Sequence, residues 1–275
     1  MLDGSRYVFV GGLHRSGTTP LARLLAEHPE ISGLSGTGVA EDEGQHLQDV
    51  YPRIRAHGGM GRFANAPAAH LTAESALVSD RNAARLVETW EPYWDLRKRL
   101  LLEKSPANMI MGGFLQALFP GSALIVVMRH PLAVALAMQK WNPLIVARNG
   151  RRRVSLAGLV AHWLHAHELL RRDAPGLTRL RVLRYEDLVA APHAELSGIA
   201  ELLGLSSPLA ADAVRPGMGD RYQRQWDAMA TGNPIQRHVR RTIETRFGDA
   251  IAEYGYDIRR IGEALPLART PFGVP

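Results

Sequence analysis

Short apolar runs alternate with amphipathic stretches along most of the chain. The runs at 7–10, 100–102, 123–128 and 180–185 are rich in aliphatic and branched side chains, which predicts buried β-strands. Between them, apolar residues recur at the three- and four-residue spacing of helices. Strands that alternate with helices favour a three-layer α/β/α fold with a mainly parallel sheet.

Helix boundaries follow from capping residues, glycines and prolines. We expect residues 31–39 to form a loop, one domain to span 1–262, and 263–275 to form a C-terminal tail. The predicted helices cover 20–28, 82–99 with a break near Pro92, 108–119, 155–170, 196–203 and 234–254.

Composition narrows the range of protein classes. The chain has 275 residues, is 46% hydrophobic and contains no cysteine, which excludes disulfides and thiolate metal sites. Its net charge of +6 favours an anionic ligand, while no nucleic-acid recognition motif accompanies that charge. Without an N-terminal signal pattern or an apolar run of membrane-spanning length, a cytoplasmic protein is the expectation.

The first predicted strand leads into a glycine-rich loop and then a helix. The spacing Gly12-x-x-x-x-Gly17-Thr18-Thr19 is close to that of a P-loop, which cradles phosphates with backbone N–H groups. A triphosphate-binding P-loop has Lys where Thr18 stands, whereas this loop carries Arg15 instead. The pattern therefore predicts a site for a phosphate-like anion.

Four stretches, in this order between about residue 7 and residue 190, resemble the sulfotransferases that use 3′-phosphoadenosine 5′-phosphosulfate (PAPS). The resemblance is strongest to the bacterial branch that is similar to tyrosylprotein sulfotransferases. It implies a P-loop NTPase-like fold, PAPS as sulfuryl donor, release of 3′-phosphoadenosine 5′-phosphate (PAP), and a small-molecule or biopolymer hydroxyl acceptor. The stretches are Arg15-Ser16-Gly17-Thr18-Thr19, Glu103-Lys104-Ser105-Pro106-Ala107-Asn108, Ile125-Val126-Val127-Met128-Arg129-His130-Pro131 and Arg184-Tyr185-Glu186-Asp187-Leu188.

The resemblance also implies roles for particular side chains in donor binding. Lys104 would stabilise negative charge on the bridging oxygen of the donor, and Arg129 would bind the 3′-phosphate. Tyr185 would contact the nucleotide, and no metal is implied. The residues expected to hold the 5′-phosphosulfate are Arg15, Ser16, Gly17, Thr18 and Thr19, with Arg15 also neutralising charge during transfer.

The chain departs from the family pattern after Arg129. The family usually has a serine eight residues later, also on the 3′-phosphate, but that position is Ala137. Gln139 and Lys140 are candidates to replace it. Further candidates for nucleotide contact, from the family's late loop around residues 215–225, are Arg221, Tyr222 and Trp226.

An acidic cluster stands out shortly after the glycine-rich loop. Sulfuryl transfer to a hydroxyl needs a base, and a carboxylate or an imidazole suits that role. In the family a Glu in about this region is the base. Glu41 and Glu43 are both candidates here, and His46 is a further one. Helix capping is the alternative role for the acids.

Two other functions stay open from the residues alone. A P-loop-like kinase or NTPase with a displaced lysine would need Mg²⁺ and a nucleoside triphosphate. A non-catalytic nucleotide-binding protein would retain PAP binding without transfer, and Ala137 favours that reading. The basic run of Arg151, Arg152 and Arg153 is either a solvated face or a lip for an anionic ligand.

Overall fold

The computed structural model describes residues 3–140, 154–215, 219–267 and 271–273, so the basic run at 151–153 lies outside the described residues. The strands are β1 (Tyr7–Gly11), β2 (Ile31–Gly33), β3 (Leu100–Lys104), β4 (Ala123–Met128) and β5 (Leu180–Arg184). The helices are α1 (Thr18–Ala26), α2 (Asp80–Trp90), α3 (Gly112–Leu118), α4 (Pro131–Gln139), α5 (Leu156–Asp173), α6 (Tyr185–Ala190), α7 (Pro192–Leu203), α8 (Gly219–Thr231) and α9 (Pro234–Ala252).

Within the described residues, the strands form one five-stranded sheet in the order β2-β3-β1-β4-β5, and every pairing is parallel. All carboxyl ends therefore meet at one edge. The central strand β1 has β3 on one side and β4 on the other, so the chain switches direction across the sheet there. Ligands of open α/β sheets bind at such a switch point. The predicted parallel sheet is confirmed.

The alternation of side chains along β1 builds two separate cores. Tyr7 and Phe9 enter the core shared with α2, α3, α4, α5, α8 and α9. Val8 and Val10 enter the opposite core, which is filled from α1, α6 and α7. Because apolar side chains cover both faces, the strand is apolar throughout, as expected for a buried parallel sheet. The three-layer α/β/α prediction is confirmed.

Most predicted helices are present, with shifted ends. Ser155 caps α5 by accepting a hydrogen bond from the Gly158 N–H over 3.0 Å, as its sequence position predicts. Helix α2 ends at Trp90 and does not resume after Pro92, so the expectation of helix up to residue 99 is wrong. Among the helices of the described residues, none is both long and apolar enough to cross a membrane.

Two elements occupy segments that the sequence led us to expect as loops. Strand β2 has three residues and pairs with β3 from Ile31↔Leu100 onward. Helix α8 occupies much of the segment expected to be a late loop, and it packs against α4 and α9. Both elements depend on contacts with distant parts of the chain, which a local pattern does not contain.

The segment after α9 returns to the body of the protein. Leu265 donates its N–H to the carbonyl oxygen of Gly255 over 2.8 Å, and the Leu265 carbonyl accepts a hydrogen bond of 2.6 Å from Arg184. Further on, Phe272 is buried against Tyr254, with 6.0 Å between ring centroids. The C-terminal segment is thus linked to the end of β5.

Gly12 shows how closely the backbone is packed at the carboxyl edge. Its φ is 144°, and a Cβ there would lie 2.5 Å from the Val127 carbonyl oxygen. We expect Gly12→Ala to lower the free energy of unfolding by about 3 kcal/mol or more. Gly36→Ala is the control, because Gly36 also has a positive φ of 66° but open space around it. It should cost about 1 kcal/mol. Equal losses in urea unfolding would contradict the steric argument.

Candidate active site

The loop between β1 and α1 is closed by Ser16. Its Oγ and its backbone N–H both donate to the Leu13 carbonyl oxygen, over 2.6 Å and 3.0 Å. Gly12, Arg15 and Gly17 all have positive φ, and Gly17 caps α1 with a φ of 107°. The first turn of α1 therefore presents N–H groups without helical partners at the carboxyl edge of the sheet. This arrangement suits a phosphate-like anion.

Sheet register places the next motif beside this loop. Val10 pairs with Lys104 at the end of β3, and the backbone pairing continues as Ser105 donates to the Val10 carbonyl oxygen. Thr19 and Lys104 line one cleft between α1 and β3, with Arg23 at its side. The structure thus brings together the loop and the lysine that the sequence predicted.

A buried ion pair joins Lys104 to the acidic cluster. Its Nζ lies 3.1 Å from Glu43 Oε1, and the two side chains are 4% and 10% exposed. The second carboxylate oxygen accepts a 2.6 Å hydrogen bond from Gln45, and His46 Nε2 lies 3.5 Å from it. Of the candidate bases, Glu43 is therefore the one paired with Lys104, with His46 next to it.

The groups around Glu43 lower its pKa by more than burial raises it. Burial by itself raises the pKa of this carboxyl, but the hydrogen bond with His46 and the charge of Lys104 lower it, with smaller contributions from His14 and Gln45. The resulting pKa is about 2. Glu43 is thus an anion throughout the physiological range, as a proton acceptor must be.

Glu41 occupies a different position. It lies at the rim of the cleft with a side chain that is 54% exposed, and its carboxylate faces Arg23 at 3.4 Å. The backbone turns between the two candidate bases, because Glu41 and Asp42 have φ values of 54° and 50°. Asp42 in turn accepts a 2.5 Å hydrogen bond from the Thr37 hydroxyl. This turn directs Glu43, and not Glu41, toward Lys104.

Glu103 holds the segment that carries Glu43, a role that the sequence did not reveal. Its Oε1 accepts hydrogen bonds from the Gly44 N–H at 2.9 Å and from Ser105 Oγ at 2.6 Å. Its Oε2 accepts one of 2.6 Å from Asn108. Burial raises the pKa of Glu103, whereas the hydrogen bonds from Ser105 and Asn108 lower it. The signal in the sequence was an acid inside an otherwise apolar strand.

His14 is a second residue at the site without an expected role. Its Nδ1 atom is buried and has no hydrogen-bond partner among the described residues. Burial lowers the pKa of His14 to about 4; nearby Lys104 and Arg15 lower it further, while Glu43 opposes them. The imidazole is therefore neutral at neutral pH. Its place inside the glycine-rich loop was the available signal.

Arg129 lies at the other end of the carboxyl edge, one residue beyond β4. Because Met128 pairs with Arg184, the last residue of β5, Arg129 comes next to Tyr185, the first residue of α6. Its guanidinium carbon lies 4.2 Å from the centroid of the Tyr185 ring, and Nη1 donates to the Arg15 carbonyl oxygen over 3.1 Å. The Tyr185 ring also covers Gly17, where a Cβ would come within 2.8 Å of it. Arg129, Tyr185 and the glycine-rich loop therefore form one continuous surface.

The remaining candidate residues for nucleotide binding differ in their exposure. Ala137 is buried in α4, while Gln139 is half-buried and Lys140 exposed at the end of that helix. Arg221 is exposed on α8 and Tyr222 is buried. Trp226 is completely buried under Arg240, so the expectation that it contacts the nucleotide is wrong. Its apolar ring completes the contact between α8 and α9.

Comparison with known proteins gives a match over most of the chain. The family described as "Sulfotransferase family" matches residues 7–208. Nodulation protein NoeE of Sinorhizobium fredii is 28% identical over 71% of this chain and 49% of its own length. Protein-tyrosine sulfotransferase 2 of Gallus gallus is 25% identical over 72% of this chain and 51% of its own length. The chain thus spans about half the length of the curated relatives it matches.

A solved structure shares the fold. The crystal structure of sulfotransferase STF9 from Mycobacterium avium aligns with a TM-score of 0.50 and 17% identity. The alignment covers 95% of this chain and 79% of the other. The P-loop-like three-layer fold expected from the sequence is therefore confirmed.

The ion pair of Glu43 predicts a pH dependence of stability. Its pKa of about 2 lies below the usual 4.5, so its contribution is complete above about pH 4.5 and is lost as the pH falls toward 2. We expect the difference in free energy of unfolding between wild type and Glu43→Gln, measured with urea, to shrink by about 2–3 kcal/mol from pH 7 to pH 2. The control Glu41→Gln should follow the wild-type pH profile. If the difference in free energy of unfolding between wild type and Glu43→Gln did not change with pH, the result would contradict the ion pair.

Proposed function

The chain belongs to the sulfotransferase family, and we propose that it transfers a sulfuryl group from PAPS to a hydroxyl acceptor and releases PAP. The observation that carries the proposal is the buried Lys104–Glu43 pair, 3.1 Å apart, next to a phosphate-binding type of loop. A cation for the leaving oxygen and an anion for the acceptor proton are the two groups that this transfer requires.

The donor fits the cations of the site. Backbone N–H groups of the loop from Gly12 to Thr19 would hold the 5′-phosphosulfate, with Arg15 beside them. Arg129 would bind the 3′-phosphate, with Tyr185 against the nucleotide. A triphosphate with Mg²⁺ fits less well, because Thr18 stands where a nucleoside-triphosphate P-loop has its lysine.

The transfer itself needs one bond made and one broken. The acceptor hydroxyl oxygen bonds to sulfur, the bond between sulfur and the bridging phosphate oxygen breaks, and its electron pair stays on that oxygen. The hydroxyl proton goes to Glu43. Lys104 stabilises the charge that develops on the leaving oxygen, a type of stabilisation that contributes several kcal/mol.

The ion pair couples these two events. Lys104 is one of the groups that hold the pKa of Glu43 near 2. When Lys104 turns from Glu43 to the leaving oxygen, the pKa of the carboxylate rises and it becomes a stronger base. When Glu43 gains the proton, it loses its charge and releases Lys104. Proton transfer and charge stabilisation therefore favour each other.

The acceptor is a hydroxyl in this proposal because the protein-tyrosine sulfotransferase relative acts, by its name, on the hydroxyl-bearing residue tyrosine. A carboxylate base also suits a hydroxyl, whose proton must be removed during transfer.

Donor binding is testable without knowing the acceptor. PAP without metal should stabilise the protein, by about 2.7 kcal/mol at a hundredfold excess over Kd. The measurements are thermal shift and titration calorimetry, with ATP plus Mg²⁺ as the comparison. Stabilisation by ATP with Mg²⁺ alone would contradict a PAPS donor and favour a kinase.

The roles of the ion pair are testable by rates. With radiolabelled PAPS and a panel of phenols and primary alcohols, Lys104→Ala should lower kcat about 10²–10³-fold. Glu43→Gln should lower it at least 10²-fold. Glu41→Gln is the matched variant and should keep most of the wild-type rate. If Glu41→Gln loses as much activity as Glu43→Gln, Glu43 is not the base.

A further inference from the structure

Arg129 has an incomplete set of hydrogen bonds in an otherwise ordered environment. Nη1 is bonded to the Arg15 carbonyl oxygen, but Nε is buried and has no partner among the described residues. Its backbone is fixed on both sides: Trp163 Nε1 donates to the Arg129 carbonyl oxygen over 2.9 Å, and the next residue, His130, donates its N–H to Glu186 over 3.0 Å. A buried guanidinium N–H without a partner suits an incoming acceptor atom.

Two aromatic rings lie close to the Arg129 guanidinium. Tyr185 lies 4.2 Å from its carbon atom, and Tyr222 lies 5.8 Å away, inside the range of a cation–π contact. Tyr222 is 4% exposed and belongs to α8 (Gly219–Thr231). That helix lies beyond residue 208, where the match to the family ends. The second ring therefore comes from a part of the chain outside the matched region.

Binding of the 3′-phosphate depends more on how well the Arg129 guanidinium is positioned when other phosphate-binding groups are missing. Ala137 brings no hydroxyl from the neighbouring α4. Arg binds phosphate best as a planar fork, which loses less side-chain freedom on binding when it is already held in place. Contacts with the two rings restrict the guanidinium without using its N–H donors.

We propose that Tyr222 is a positioning residue that holds the Arg129 guanidinium for the 3′-phosphate of the donor and so makes the site prefer a 3′-phosphorylated nucleotide. The inference rests on the proposed function. It assigns α8 a part in donor selectivity, through the face of one buried ring. The ring acts through Arg129. Loss of the ring should therefore weaken binding of the 3′-phosphate and leave binding of the rest of the nucleotide unchanged.

A comparison of two nucleotides distinguishes the positioning role of Tyr222 from a general effect on protein structure. Titration calorimetry would compare PAP with adenosine 5′-monophosphate (AMP), which lacks the 3′-phosphate. For Tyr222→Leu we expect the Kd for PAP to rise about fivefold, with little change for AMP. Tyr222→Phe keeps the ring face and should keep the wild-type preference for PAP. If the leucine variant does not fold, Tyr222→Met removes the ring with a side chain that fills irregular space.

Phe247→Leu is the control for loss of a buried ring. Phe247 lies on α9 with the guanidinium of Arg246, not of Arg129, 5.2 Å from its ring, and its loss should leave the PAP-to-AMP preference unchanged. Equal weakening of PAP and AMP by Tyr222→Leu, or a loss of preference in Tyr222→Phe or Phe247→Leu, would overturn the role of Tyr222. A wild-type protein without preference for PAP over AMP would overturn the proposed donor as well.

Discussion

The structure depends on one buried ion pair, between Lys104 and Glu43. Removing two charges from water costs several kcal/mol for each, so the pair is favourable only if both groups are well fixed. Lys104 is fixed by its place at the end of β3, and Glu43 by Gln45 and His46. Glu103 accepts a hydrogen bond from the Gly44 N–H and so anchors the irregular segment that carries Glu43. Loss of either charge would leave the other buried and uncompensated.

The other end of the site is fixed by a different kind of network. Glu186 accepts hydrogen bonds from the His130 N–H and from the Tyr256 hydroxyl, the latter over 2.9 Å. Burial raises the pKa of Glu186, and the His130 N–H and Tyr256 hydrogen bonds lower it. The turn that carries Arg129 is thereby tied to the C-terminal part of the chain. The two ends of the candidate site rest on separate buried carboxylates, Glu103 near Lys104 and Glu186 near Arg129.

The sequence was most informative where the signal is local. An apolar strand, a glycine-rich loop and a proline-containing helix start are adjacent in the chain, so β1, its loop and α1 were predictable. Lys104 and Arg129 were singled out by the resemblance of their motifs, and each comes at the carboxyl end of an apolar run. Glu41 and Glu43 could not be separated, because the positive φ values at Glu41 and Asp42 leave no trace in residue type. The contact of Tyr222 with Arg129 joins residues far apart in the chain and was equally hidden.

The central place of β1 has a consequence for biosynthesis. Tyr7 pairs with Leu101 and Val8 with Ala123, so β1 is synthesised more than ninety residues before the strands that pair with it. At about 5–20 residues per second, that delay is on the order of 5–20 s. During this time an apolar strand with unpaired edges is exposed to other chains. Nascent-chain protection by a chaperone would matter most while β1 awaits these partners.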